Sequence, residues 1–198
     1  MSQPTSDPSP QQRAPPGPAA AVDLDSSPVV RASFSMRGFM DGWMHCRHVA
    51  DYLARFAASD RYDPERLTTR LSNYLNEALE LVFRSAPGPG QLIVAIYRQH
   101  DRLEVTLACP VTADDRMRRS VRRATEAEAA ANYRRGFVDL VRPGDGGRAP
   151  PASEDPDEWE ADAGLLELVA LHGITLALSS VADDVDNAVT LHMTVPHE

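Results

Sequence analysis

The chain contains no lysine, and all 20 of its basic residues are arginine. Mechanisms that need a lysine amine, such as the phosphate-binding loop of P-loop enzymes and Schiff-base catalysis, are therefore excluded by composition. Its only two cysteines, Cys46 and Cys109, have no patterned spacing, so neither a disulfide framework nor a zinc module is predicted. No apolar run approaches the roughly 18 residues of a membrane span, and the N-terminal segment does not resemble a signal peptide. We therefore expect a cytoplasmic protein that does not contact membranes.

The length and charge of the chain set further bounds. Its 198 residues can form one globular domain of about 150 residues with disordered ends. The formal net charge of −9 argues against a general nucleic-acid binder, which needs a basic surface. Residues 1–30 contain seven prolines among small and polar residues, so we predict a disordered tail there and a folded domain at 31–198. Within the domain, residues from about 142 to 158 are acidic and rich in glycine and proline, which is typical of a flexible loop.

Local signals predict helices and strands along the domain. Asp63 followed by Pro64 is a strong helix start, and Gly173 is a glycine that ends a helix. Apolar spacing and Gly/Pro breaks place helices at about 36–58, 64–85, 112–140 and 158–171. Alternating apolar segments place strands at 91–98, 103–109, 174–181 and 188–195, with the first two forming a hairpin.

One predicted helix carries a polar stripe. Asn73, Asn76, Glu77 and Glu80 are spaced by three and four residues and share one side of the helix, opposite the leucines that would meet a core. Such a stripe is either an active-site face, or the remains of one, or a solvated or interface surface.

Two segments resemble boxes of the GHKL family of ATP-binding folds, which includes histidine-kinase ATPase domains and anti-sigma-factor kinases. The first is NEALELV at residues 76–82, and the second is DAGLL at 162–166, followed by His172 and Gly173. The match is nearest a small bacterial regulator family of unknown function. The resemblance implies an α/β two-layer sandwich, in which a mixed, largely antiparallel sheet carries helices on one face.

The resemblance also implies roles for individual residues. Glu77 occupies the position of the general base. The nucleotide would lie against Asn73, Asn76, Glu80 and Gly164, with Asp114 standing in for the carboxylate that reads adenine.

Several departures from the family pattern weaken the implied site. Leu81 stands where the family has the asparagine that holds Mg²⁺, and leucine cannot bind a hard cation. The segment at 109–115 has no glycine, and the later box keeps one. Binding of ATP and Mg²⁺ is therefore disfavoured, and no metal site is expected. Zinc is not expected at Cys46 and its two neighbouring histidines either, because no fourth ligand is near in sequence.

A dense basic patch follows the hairpin. Arg118, Arg119, Arg122 and Arg123 can grip an acidic or phosphorylated partner through bidentate contacts. The alternative is a solvated face whose arginines pair with nearby glutamates.

Three hypotheses about function follow from these patterns together with what the resemblance implies. The leading one is a non-catalytic or weakly nucleotide-binding regulator, which acts by protein contact in a bacterial partner-switching or two-component pathway. Its partner would be an antagonist-type or receiver-type domain, and a homodimer is allowed. The alternative is an active serine/threonine protein kinase of the anti-sigma-factor type, with Glu77 as base and Glu80 or the acidic loop holding the metal. The third is a dimerising adaptor without a partner switch.

Overall fold

The computed structural model describes residues 27–39, 44–85, 89–110, 114–126, 156–181 and 188–196. Most of the predicted tail and of the acidic loop lies outside these residues, as does the second half of the helix predicted at 112–140. In chain order, the described elements are β1 (Val30–Ser35), a 3-10 turn (Met36–Phe39), α1 (Met44–Ala58), α2 (Pro64–Ser85), β2 (Gln91–Arg98), β3 (Arg102–Pro110), α3 (Asp114–Thr125), α4 (Pro156–His172), β4 (Thr175–Val181) and β5 (Ala188–Pro196).

The five strands form one sheet in the order β1-β2-β3-β5-β4, and the four described strand pairs are all antiparallel. The predicted hairpin is confirmed, with Val94 opposite Leu107. The antiparallel β1–β2 pair follows from its connection by two helices. α1 leads the chain away from the end of β1 and α2 brings it back, so β2 begins beside that end. The Met36 N–H accordingly donates to the Gly90 carbonyl at 2.9 Å.

The predicted two-layer sandwich is confirmed, although the described pairs are antiparallel where a mixed sheet was expected. One face of the sheet packs with the helices into a single core. Alternate strand residues supply the sheet side of that core, because successive side chains point to opposite faces. They are Val30, Leu92, Val94, Ile96, Leu103, Val105, Leu107, Cys109, Leu176, Val189, Leu191, Met193 and Val195.

Both predicted helix-end signals act as expected. The Asp63 carboxylate accepts the Arg66 N–H at 3.2 Å, which satisfies one of the orphan donors at the start of α2. At the other end of the domain, Gly173 has φ of +66° and lets the chain leave α4. The next residue, Ile174, then donates its N–H to the Leu168 carbonyl at 3.2 Å.

Strand β1 was not predicted from the sequence. Residues 30–35 alternate inward Val30, Ala32 and Phe34 with exposed Arg31, Ser33 and Ser35, so the two-residue period was available. The prediction of a helix from Met36 is wrong at its start, because α1 begins at Met44 and Met36–Phe39 is a 3-10 turn. None of the described helices is both long and apolar enough to cross a bilayer.

Candidate functional site

The polar stripe of α2 lies partly between helices. Asn73 is exposed, whereas Asn76, Glu77 and Glu80 are half-buried. The amide of Asn76 donates to Glu80 Oε1 at 2.7 Å, and Arg84 Nη2 lies 3.9 Å from Glu80 Oε2. Asn76, Glu80 and the next residue along this side, Arg84, therefore interact with one another along α2.

The structure brings Glu77 directly against Gly164 of α4. A Cβ atom built on Gly164 would lie 1.8 Å from Glu77 Oε2 and 2.5 Å from its Cδ. A side chain at position 164 would occupy the space of the carboxylate, so the end of the flexible Glu77 side chain would have to turn aside. Two residues that the sequence assigned to one site are thus neighbours, and the backbone of α4 fills the space beside the carboxylate.

Gly164 lies in the middle of α4 and not at its start. The helix begins at Pro156, about two turns earlier. A glycine that binds phosphate through its N–H must precede or open a helix, where the N–H groups have no intrahelical partner. The N–H of Gly164 is instead inside the helix, where it belongs to the regular backbone ladder.

The Glu77 carboxyl has a raised pKa. Burial is the main cause, because it disfavours the charged form, and the nearby carboxylates of Glu80 and Glu167 add to it. The guanidinium of Arg84 opposes the rise. Glu77 is therefore a carboxylate held in a place that penalises its charge.

This environment predicts a stabilising substitution. We expect Glu77→Gln to raise Tm at pH 7.5 by about 2–4 °C, which corresponds to roughly 1 kcal/mol in a domain of this size. The folded-state pKa of Glu77 lies above its unfolded value, so the contribution of the wild-type residue is complete below the unfolded pKa and is lost as pH rises through the folded pKa. The gain from glutamine should therefore shrink towards pH 4.

The measurement is thermal unfolding followed by circular dichroism at both pH values. Glu126→Gln is the matched control, since Glu126 is exposed and its contact with Arg122 Nε is long, at 3.9 Å. An equal gain at both pH values, or none at pH 7.5, would show that Glu77 is not desolvated.

A second contact holds α4 on α2. The rings of Tyr74 and His172 lie 5.2 Å apart between centroids, and Arg70 Nε donates to the Tyr74 hydroxyl at 3.2 Å. Contacts near the middle and the end of α4 thus fix this helix along α2.

Helix α3 divides its arginines between an exposed and an inner side. Arg116, Arg118, Arg119 and Arg122 are exposed and form the surface called here the arginine face. Arg123 is turned inwards, and its Nη1 atom lies 2.6 Å from Asp162 Oδ2 on α4. A cavity of about 10 Å³, the size of one water molecule, lies beside this pair.

Asp162 was not singled out by sequence reasoning as a pairing residue. Its side chain is only 7% exposed, so the pair with Arg123 is largely desolvated. The family resemblance placed Asp162 in a phosphate-binding segment that keeps one glycine. In the structure Asp162 instead pairs with Arg123 and so joins α4 to α3. A lone aspartate in an acidic stretch carries no signal for such a partner. The other predicted residue of this region, Asp114, opens α3, and its side chain lies outside the described residues.

The predicted absence of a zinc site concerns α1. His45 and His48 are exposed, whereas the Cys46 thiol is buried, with a pKa raised by burial to about 11. Cys109 is also buried, with a pKa raised by burial to about 11. Among the residues that the structure describes, no three His, Cys, Asp or Glu side chains are placed to hold a metal ion.

Comparison with known proteins adds no assignment. No protein-family model matches the chain, and no curated protein matches it either. Functional inference therefore depends on the geometry of the site.

Proposed function

We propose that this protein is a regulator that acts by protein contact, built on a GHKL-like scaffold whose nucleotide site has been closed by packing. It does not transfer phosphate. The setting would be a bacterial partner-switching or two-component pathway, with an antagonist-type or receiver-type domain as partner. The observation that carries the proposal is the position of Gly164, in the interior of α4 and against the Glu77 carboxylate.

This position removes the contacts that a triphosphate needs. Phosphate oxygens are bound by free N–H groups at a helix start, and at Gly164 these are replaced by the helical ladder. The space where a phosphate would approach holds the side chain of Glu77. A phosphate in its place would also face Glu80 and Glu167, which already raise the pKa of Glu77.

Binding of Mg²⁺ is disfavoured for a separate reason. Leu81, at the position where the family resemblance puts a magnesium-binding asparagine, is 2% exposed and belongs to the core. A leucine offers no oxygen to Mg²⁺. Loss of a metal ligand and its supporting contacts typically lowers affinity about 10- to 100-fold, and here it adds to the loss of the phosphate contacts.

The contact surface we assign to the partner is the arginine face of α3. Four exposed guanidinium groups on one short helix present donors that recognise carboxylate or phosphate in pairs. Arg123, which the sequence also assigned to partner binding, does not belong to this face and holds α3 in place through its pair with Asp162. The proposal includes a cytoplasmic location, which is supported by two buried cysteines without a disulfide.

Nucleotide binding provides the direct test. We expect 5 mM ATP with Mg²⁺ to change Tm by less than 1 °C, and a fluorescent ATP analogue to show no saturable binding below millimolar concentration. A site with a Kd of 50 µM would instead add about 2.7 kcal/mol at that ATP concentration, or roughly 5–10 °C.

The same titration separates the proposal from the kinase alternative. Micromolar binding that requires Mg²⁺ would overturn a closed site. Radiolabel transfer from ATP to a partner, lost in Glu77→Gln, would then establish the enzyme. Gly164→Ser is the matched control, because it crowds the proposed phosphate position further and should leave a null result unchanged.

A further inference from the structure

We propose that an extended acidic segment of a partner protein binds beside β4 as an added strand, with its carboxylates on the arginines of α3. The proposal deepens the assigned contact function, on which it rests, by naming the form and chemistry of the partner. The site is an open groove of about 560 Å³ between α3 and β4, called here the edge groove. It is lined by Asp115, Arg118, Arg119, Val121, Arg122, Thr125, Leu176, Ala177 and Leu178.

The first argument is the position of β4 at the end of the sheet. Among the described strands, β4 pairs only with β5. Leu176, Ala177 and Leu178 are consecutive, and successive side chains of a strand point to opposite faces. A groove that is lined by all three therefore follows the outer edge of the strand, where main-chain donors and acceptors can accept a further strand.

The second argument is the match of charge spacing. Arg118 and Arg122 are one turn apart on α3, which separates them by about 6 Å along the helix. In an extended chain, alternate side chains on one face repeat about every 6.8 Å. A strand along β4 with an acidic residue at every second position would therefore present carboxylates at nearly the interval of the arginines. The pair that Arg122 forms with Glu126 is exposed and long, at 3.9 Å, so its replacement costs little.

The third argument concerns the floor of the groove. Val121 is buried, Leu176 is 5% exposed and Leu178 is partly buried, so apolar side chains form the floor, on the same side of the sheet as α3. Acidic side chains that reach the arginines would cross this floor, and their methylene groups would contact it. A protein segment supplies both these methylene groups and main-chain partners for β4, whereas a nucleic acid supplies neither.

The test uses the full-length chain and a labelled 12-residue peptide that alternates glutamate with valine, followed by fluorescence anisotropy. We expect saturable binding at 50 mM salt and at least a 10-fold weaker Kd for the double variant Arg118→Glu, Arg122→Glu. The matched control is Arg47→Glu, Arg55→Glu, which changes the net charge equally at two exposed positions of α1. It should bind within about twofold of wild type. Both variants are compared by circular dichroism to confirm that they fold.

A further pair of peptides tests the strand geometry, with the main-chain amides N-methylated at every glutamate in one and at every valine in the other. Both keep the charge, but N–H groups of alternate residues point to opposite edges of a strand, so only one of the two keeps its donors to β4. That peptide should bind at least 10-fold more tightly than the other. Equal binding of the two peptides, or equal losses in the two double variants, would overturn the proposal. It would also be overturned by a single-stranded oligonucleotide of equal charge that displaces the peptide, or by self-association through α3 detected by sedimentation. A failure of this test leaves the nucleotide result unaffected, so the two proposals are separable.

Discussion

Replacement of Arg123 by alanine should lower the free energy of unfolding by about 3 kcal/mol, the cost of leaving one partner of a buried ion pair alone. Asp162 is 7% exposed and its Oδ2 atom lies 2.6 Å from Arg123 Nη1. Without the guanidinium, a carboxylate that is largely removed from water loses the partner that compensates its charge. In a domain of this size the expected loss is roughly 6–12 °C in Tm.

Two further variants distinguish a broken pair from simple loss of packing. Arg122→Ala removes a neighbouring but exposed arginine and should cost less than about 0.5 kcal/mol. The double variant Arg123→Met, Asp162→Leu removes both charges and should recover most of the stability, because apolar groups of similar size need no compensation. If Arg123→Ala is as mild as Arg122→Ala in urea unfolding, then α3 and α4 are not joined by this pair.

The second expected result concerns Gly164. Gly164→Ala should change the stability of the wild-type protein by less than about 0.5 kcal/mol, although alanine is the better helix former by roughly 1 kcal/mol. The new Cβ would lie 1.8 Å from Glu77 Oε2, the end of a flexible side chain, so the carboxylate must turn aside, at a cost that offsets the gain in helix propensity.

The substitution should become stabilising when Glu77 is absent. In a Glu77→Ala background the obstructing atoms are gone, and Gly164→Ala should stabilise by about 0.5–1 kcal/mol. The double-mutant cycle would then give a coupling energy of about 0.5–1 kcal/mol, as expected for residues in contact. Urea unfolding measures all four proteins. Equal effects of Gly164→Ala in both backgrounds would mean that α4 does not lie against Glu77, which would remove the main support for a closed nucleotide site.

The two results together test our proposal that a GHKL-like scaffold is present without its activity. Glu77 has the residue type that the family resemblance assigns to a base, but its surroundings are carboxylates and a helix backbone. The surface that we propose for recognition is on α3. Four of its arginines are exposed, and the fifth, Arg123, joins the helix to α4 through Asp162.

Local sequence signals determined much of the fold. The aspartate and proline at 63–64, the glycine at 173 and the period of two in the later strands act over a few residues, so their consequences are visible without the rest of the chain. The proximity of Glu77 and Gly164 was implied by a family resemblance, and their contact is a feature of the structure. Strand β1 was missed because its short alternation follows a proline-rich segment and its inward residues include a small alanine.

Only the tertiary structure determined which contacts are made by the residues that the sequence indicated. Arg123 and its exposed neighbours look alike in sequence, yet the docking of α4 buries one of them against Asp162. The meaning of Gly164 depends on where its helix begins and on what lies opposite, and neither is a property of the residues next to it. The composition by itself excluded lysine chemistry, whereas burial, charge pairing and the place of β4 at the end of the described sheet arise from contacts between residues far apart in the chain.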